Sequence, residues 1–367
     1  MPQINIGFIG LSKSGWASTA LAPPLLRNDK YALKAVSTTS KESAEASAAN
    51  YSKLSGYEVK PYHGRTDQIA NDPDVGLVAV AVNVRLHKET LTPVLEAGKD
   101  FFVEWPAGKN TAETIEFAKT AKAKGLRSIV GLQGWQAPAI KKVQEIIASG
   151  KIGKVLSSSV ISMAPRESLL WGPVTNEKYS YIVDPSAGAT MLDIVIGQQL
   201  GPITHVLGDF KSVSATSTIL YPTSTLVGSD GQPTGETVSN KAPDHVAFSG
   251  ILRDSGAFVN VIWRGGYKSS PGRQQFIWEI DGEEGSIRVT EDGVAASYIH
   301  LHDPKVYLNG ELVEFEKSMY GNIGAAWNEF AKGKGKGVYP TIEDAVKLRQ
   351  LLDAIQLSGE TGKRVEL

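Results

Sequence analysis

The chain opens on an apolar run over residues 4–9 that stops at glycine, followed by a helical stretch over 16–26 interrupted at Pro23-Pro24. The alternation then recurs. Apolar runs at 33–37, 76–82, 100–103 and 127–132 predict strands, and the stretches 43–54, 87–97 and 111–124 predict helices. The run at 76–82 is apolar throughout, as a parallel strand covered on both faces must be. Strand–helix alternation of this kind implies right-handed crossovers and a parallel sheet.

After about residue 135 the pattern changes. A helix is expected over 137–149, and then strands dominate: 155–163, 205–213, 245–252, 258–263, 276–281, 286–290 and 306–308. Their period-two alternation, punctuated by Gly, Asp and Asn, predicts a large and mostly antiparallel open sheet. Residues 222–243 are rich in Ser, Thr, Gly and Pro and read as a long loop. Thr341 is placed to cap a closing helix over 341–357, with Glu343 and Asp344 in its first turn. The expectation is an α/β plus α+β protein. It comprises a Rossmann dinucleotide-binding domain over 1–134, an α/β substrate domain over 135–340, and a closing helix and tail over 341–367.

Composition narrows the chemistry. A length of 367 residues suits two cores better than one. The net charge of −1 offers no basic excess for nucleic acid or anionic lipid. There is no cysteine, which excludes thiolate nucleophiles, disulfides and Cys-ligated zinc. No His-x-x-x-His or carboxylate cluster appears, so no metal is expected, and no Gly-x-Ser-x-Gly elbow points to a serine hydrolase. The first residues lack a basic segment followed by a long apolar one, and no apolar run reaches the roughly 18 residues of a membrane span. A cytoplasmic protein is expected.

The strand over 4–9 runs into Gly10-Leu11-Ser12-Lys13-Ser14-Gly15-Trp16. A dinucleotide loop needs glycine at the tight turn, at the closest approach to the pyrophosphate, and where helix packs on strand. Gly10 and Gly15 fill the outer places and Ser12 replaces the middle glycine, where its hydroxyl could add a donor. Helix-start amides would face the phosphates. The plainer alternative is a glycine turn with no nucleotide. At the end of the second strand an NAD site usually places an acid for the ribose hydroxyl. Here Ser37-Thr38-Thr39-Ser40-Lys41 precedes the first acid, Glu42. Hydroxyls and a lysine favour NADP over NAD, unless Ser40 simply caps the next helix.

Taken together, this loop, the segment Val78–His87, Phe102-Val103-Glu104-Trp105-Pro106 and the later Trp278-Glu279-Ile280-Asp281-Gly282-Glu283-Glu284-Gly285-Ser286 resemble the glucose–fructose oxidoreductase/inositol dehydrogenase/MocA family. Val103-Glu104-Trp105-Pro106, Leu132-Gln133-Gly134 and Pro243-Asp244-His245 are most similar to its fungal galactose-pathway repressor-like branch. The resemblance covers nearly the whole chain. It implies NADP or NAD as cofactor, a small-molecule substrate, and a homodimer formed through the C-terminal sheet, for which the strand 258–263 offers an apolar patch. It also exposes departures. Active members carry Glu-Lys-Pro, where this chain has Glu104-Trp105-Pro106. Their Asp-x-Gly-x-His becomes Asp193-Ile194-Val195-Ile196-Gly197-Gln198, which keeps the aspartate and places Gly197, or Gln198 one residue on, where the histidine belongs. Glycine and an amide do no general-base work.

The candidate site follows from these matches. Asn83 and His87 flank the loop after the fourth strand, and His87 near a helix start either contacts cofactor or holds backbone. Glu104 is placed to hold the ribose or nicotinamide side, or to cap a helix. Trp105 would wall the nicotinamide or stack on a sugar-like substrate, with Gln133, Trp135 and Gln198 as further substrate contacts. Asp193 is the matched catalytic candidate, with a structural helix carboxylate as its alternative, and Tyr179 and Tyr181 are possible replacement acids. A cleft between the two domains, lined by Trp105, Gln133, Tyr181, Asp193 and Gln198, is expected. Two functions fit: an NAD(P)-dependent oxidoreductase on a polyol, sugar-like or other carbonyl substrate, and a non-catalytic nucleotide-binding regulator, which could act in the nucleus.

Overall fold

The computed structural model describes residues 3–293, 304–318 and 320–367. The chain divides into two units. The first ends at Gln136 and takes back Tyr320–Val346; the second begins at Ala137 and resumes at Lys347.

In the first unit, β1 (Ile4–Ile9), β2 (Tyr31–Thr38), β3 (Lys60–His63), β4 (Leu77–Val80), β5 (Asp100–Val103) and β6 (Ser128–Val130) form a parallel sheet in the order β3-β2-β1-β4-β5-β6. Every residue of β4 is buried, as its apolar run requires. The strand order reverses between β1 and β4, which opens the crevice where ligands bind in sheets of this kind. β3 was not expected. Pro61 and the alternating exposure of Lys60–His63 suit an edge strand, which needs neither a full donor set nor an apolar pattern.

The boundaries expected at 134, 340 and 341 need correction. Helix Gly321–Ala331 belongs to the first core, where it buries Ile323, Trp327 and Phe330. The Trp327 ring lies 5.0 Å from Phe102 and 5.7 Å from Tyr31, and the Tyr31 hydroxyl donates to the Trp327 carbonyl at 2.6 Å. An apolar helix face must be covered somewhere, and here the Rossmann strands cover it. The division between the units falls within the helix Ile342–Thr361.

The second unit is built on a nine-stranded sheet. Its strands are β7 (Val155–Pro165), β9 (Phe210–Thr218), β12 (His245–Leu252), β13 (Phe258–Tyr267), β14 (Phe276–Gly282), β15 (Ser286–Glu291), β16 (Lys305–Leu308), β17 (Glu311–Val313) and β18 (Val365–Glu366), in the order β17-β16-β15-β14-β7-β13-β12-β9-β18. Only the β7–β13 pair is parallel. Val160, Val261, Trp263, Trp278 and Ile280 face inward. Helix Gly197–Leu207 covers them, with Gln199 accepting from Trp263 Nε1 at 2.8 Å and donating to Ser162 Oγ at 3.2 Å. The opposite face is open, with Phe258 45% and Ile262 39% exposed.

Two further expectations fail here. Residues 205–207, only half-buried, end that helix instead of starting a strand, because the helix buried over 197–203 carries on through them, and Gly208 at φ 98° turns the chain into β9. The expected loop over 222–243 contains a hairpin. Its strands β10 (Thr223–Val227) and β11 (Pro233–Ser239) pair antiparallel, and β10 also pairs with β8 (Val174–Asn176). β11 is polar and almost wholly exposed, which hides the pairing from a hydrophobicity pattern, although β10 buries Leu226 and Val227.

Candidate functional site

The glycine loop is shaped by backbone first. Gly10 has φ 86°, and a Cβ there would lie 2.4 Å from the Ala81 carbonyl oxygen, so no larger residue fits. Gly15 has φ 107°. Helix Lys41–Ser55 holds the loop carbonyls: Ser47 Oγ donates to Leu11 at 2.6 Å and Tyr51 to Ser12 at 3.5 Å. Ser12 does not offer its hydroxyl outward as expected, since it donates to the Ser14 carbonyl at 2.7 Å. The amides of residues 11–14 donate to no group among the described residues. Loop amides arranged this way, on a turn that only glycine can make, fit a dinucleotide pyrophosphate. Lys13, Ser14 and Trp16 are exposed along it.

At the end of β2, Ser37 is buried and Ser40 caps helix Lys41–Ser55, accepting the Ser43 amide at 3.2 Å. Thr38 donates to the Ser40 carbonyl, and Lys41 stands exposed, 3.8 Å from Glu45. Helix capping therefore accounts for Ser40 without a cofactor. Asn83 caps the short turn Val84–Leu86 by accepting the Arg85 amide at 3.1 Å. His87, expected as a cofactor contact, is 1% exposed with its ring nitrogens 3.1 Å from the Ala107 carbonyl and 3.0 Å from that of Val82. Burial holds its pKa below the usual value, and the ring sits as a brace between two backbone segments.

The end of β5 carries the chemistry. Glu104 is 8% exposed, and its Oε1 accepts Trp16 Nε1 at 2.7 Å and Gln133 Nε2 at 3.2 Å. Its Oε2 accepts the Trp105 amide at 3.3 Å. These donors favour the carboxylate, but burial outweighs them and pushes the pKa up to about 7. A Cβ at position 131 would lie 2.1 Å from Glu104 Oε2, so Gly131 makes room for the carboxyl. Gln133 Oε1 is buried without a partner. A turn of that amide offers the oxygen to a protonated Glu104, so the pair can serve both protonation states.

Trp105, in the place of the family lysine, is only 6% exposed, so it lies within the first unit's packing and does not stand out as an open wall. Gln133 is likewise buried, and Trp135 is half-buried. Two residues escaped the sequence reading. Tyr320, at φ 60°, sets its ring 6.0 Å from Trp16 at 79°, and Asn322 donates to the Gln133 carbonyl at 3.2 Å. Trp327 and Phe330, three apart with Ile323 one turn earlier, were the only hint that this segment returns to the first core.

In the second unit, Asp193 lies in the π-turn Leu192–Ile196. Its Oδ2 accepts both the amide and the hydroxyl of Thr190, at 2.9 and 2.7 Å, and its Oδ1 accepts Arg349 at 2.6 Å. Arg349 also escaped the sequence reading. With both oxygens engaged by donors, Asp193 has the geometry of a structural helix carboxylate. Tyr179 is exposed beside Lys178, Tyr181 is half-buried, and Gln198 is buried. No cluster of His, Asp and Glu suited to a metal occurs among the described residues.

Two outcomes are expected. The folded state holds the Glu104 proton more tightly than the unfolded chain does. Its stabilisation is therefore complete below about pH 4.5 and declines as pH rises to about 7, by about 3 kcal/mol in all. In urea titrations across this range, Glu104→Gln should remove that slope; an unchanged slope would place the titrating group elsewhere. Asp193→Asn should lower stability by roughly 3 kcal/mol, because it leaves the nearly buried Arg349 guanidinium short of its partner. A variant as stable as the parent but inactive would return Asp193 to the catalytic role.

Comparison with known proteins supplies the family. The chain matches an oxidoreductase family with an NAD-binding Rossmann fold over residues 4–132, and the C-terminal domain of Gal80p over residues 138–291. It is 30% identical to the dehydrogenase aclE of Aspergillus oryzae, over 98% of this chain and 97% of that protein. It is 24% identical to the galactose/lactose metabolism regulatory protein GAL80 of Saccharomyces cerevisiae, over 84% of this chain and 70% of that one. In fold it is similar to a super-repressor mutant of S. cerevisiae Gal80p, with a TM-score of 0.89 at 22% identity, covering 99% of this chain and 98% of that one. It is also similar to levoglucosan dehydrogenase in complex with NADH and L-sorbose, with a TM-score of 0.78 at 21% identity, covering 100% and 99%. The chain belongs to the glucose–fructose oxidoreductase/inositol dehydrogenase/MocA family of oxidoreductases, in the branch whose C-terminal domain is of the Gal80 type.

Proposed function

We propose that the protein is an NAD(P)-dependent oxidoreductase acting on a sugar-like, polyol or other small carbonyl or hydroxyl substrate, with NADP preferred. The observation that carries this reading is the Glu104 carboxyl. It is buried at the C-terminal edge of the sheet with a pKa of about 7, and it is hydrogen-bonded to Trp16 of the glycine loop. Strongly shifted groups in such places are where acid–base chemistry is found. A nicotinamide bound at the loop supplies or takes up the hydride. The chain's own residues do the rest: the amides of residues 11–14 receive phosphate, the exposed Lys41 reaches a 2′-phosphate by leaving its long contact with Glu45, and Glu104 with Gln133 holds a proton beside Trp105. Full-length similarity to a dehydrogenase supports turnover.

A second reading is a nucleotide-binding regulator, and two observations favour it. Trp105 stands where the family lysine belongs, and Asp193 is tied to Arg349. Oxidation of NADPH followed at 340 nm with a panel of carbonyl substrates separates the two. Turnover with some member, and tighter binding of NADP than NAD by calorimetry, are expected. Tight nucleotide binding with no turnover on any member would favour the regulator, and a clear NAD preference would overturn the reading of Lys41. Trp105→Lys restores the family residue and is expected to raise dehydrogenase activity.

The open sheet face, with Phe258 and Ile262 exposed, supports self-association of two copies through that face. Light scattering at micromolar concentration is expected to give a dimer that Ile262→Glu dissociates; a monomeric parent would refute it.

A further inference from the structure

The start of β12 and the end of β13 carry a second cluster that the dinucleotide site does not use. Asp244 is 3% exposed and accepts the amides of Leu220 at 2.9 Å and Tyr221 at 2.8 Å. It also lies 2.6 Å from His245 Nδ1. With Nδ1–H donating to that carboxylate, Nε2 is left to accept from the Tyr267 hydroxyl at 3.4 Å. The register sets His245 directly opposite Arg264, so the two share one face of the sheet.

Two guanidinium groups lie close to one ring here. Arg264 lies 5.7 Å and Arg273 5.0 Å from the centre of Tyr267. Neither arginine forms a salt bridge among the described residues. Arg264 Nε is buried and has no hydrogen-bond partner. Burial, and then the charge of Arg273, holds the Arg264 pKa below its ordinary value. Two like charges brought together, one of them partly desolvated and short of acceptors, disfavour the folded state unless a negative group joins them.

The backbone beside them is tightly packed. A Cβ on Gly265 would lie 2.1 Å from the Trp171 carbonyl oxygen, so the strand end passes directly against Trp171. Trp171 itself is 4% exposed, at φ 49°, and its Nε1 is also buried without a partner. A non-glycine residue held at positive φ beside unsatisfied donors is a mark of a functional site.

We propose that Arg264 and Arg273, both against Tyr267 and with His245 beside, form a binding site for a small oxyanion, either a free phosphate or the carboxylate of an acidic metabolite. The planar fork of arginine matches both groups through paired N–H donors, which a lysine could not do. The site lies wholly within the second unit and does not depend on the dinucleotide reading.

Thermal melts and calorimetry in low-salt buffer, with inorganic phosphate and with malonate, test it. At least one of the two probes should raise the melting temperature, and the one that does identifies the source. Arg273→Gln should weaken that binding about tenfold or more. In anion-free buffer it should melt no lower than the parent, since it removes a like charge. Arg264→Gln should also weaken binding, and Arg288→Gln, whose parent residue pairs with Glu279 on the same sheet, should bind as the parent does. The proposal is overturned if neither probe binds, if Arg273→Gln binds as the parent does, or if Arg273→Gln is destabilised without anion, which would make Arg273 a structural residue.

Discussion

A parallel strand covered on both faces can present polar chemistry only at its ends. The first unit is organised by that constraint. Its central strand β4 is apolar and buried along its whole length, so its backbone groups are satisfied within the sheet and its side chains within the core. Polar function is pushed to the edge where the strands finish. Gly10 follows β1, Glu104 follows β5, and Gln133 follows β6, and the structure joins the last two to Trp16 of the glycine loop through one carboxyl.

That carboxyl changes the meaning of the departures from the family pattern. A lysine beside the nicotinamide would bring a positive charge to this edge. Trp105 brings none, and among the described residues no cation acts on Glu104 to hold it ionised. Burial then governs, and the group titrates near neutrality. Gln133 suits this arrangement because an amide can donate to a carboxylate or, turned over, accept from a carboxylic acid. In the second unit, by contrast, the retained aspartate has acquired a guanidinium partner. Of the two acids that sequence reading brought forward, the one with the family's catalytic position is tied into structure. The one first read as a ribose contact or helix cap holds the shifted proton.

Most of the elements were legible because their patterns are local. β1, β5, β12 and helix Thr111–Lys124 lie where period and caps place them. The failures share one cause. β3 is a short edge strand with a proline, β11 is polar and exposed, and Gly197–Leu207 is a helix carrying β-prone residues. In each, contacts made by distant segments outweigh the local preference.

The sequence by itself determined the α/β class, the glycine loop, the order of the family motifs and the absence of cysteine chemistry, because each resides in residue identity or short-range spacing. Only the tertiary structure decided which residues meet. Helix Gly321–Ala331 returns to the first core, Tyr320 comes to lie on Trp16, Arg349 reaches Asp193, and Arg264 and Arg273 converge on Tyr267. The protonation of Glu104 belongs to the same class: it depends on how thoroughly surrounding segments exclude water, and burial of that kind has no signature in the residues beside it.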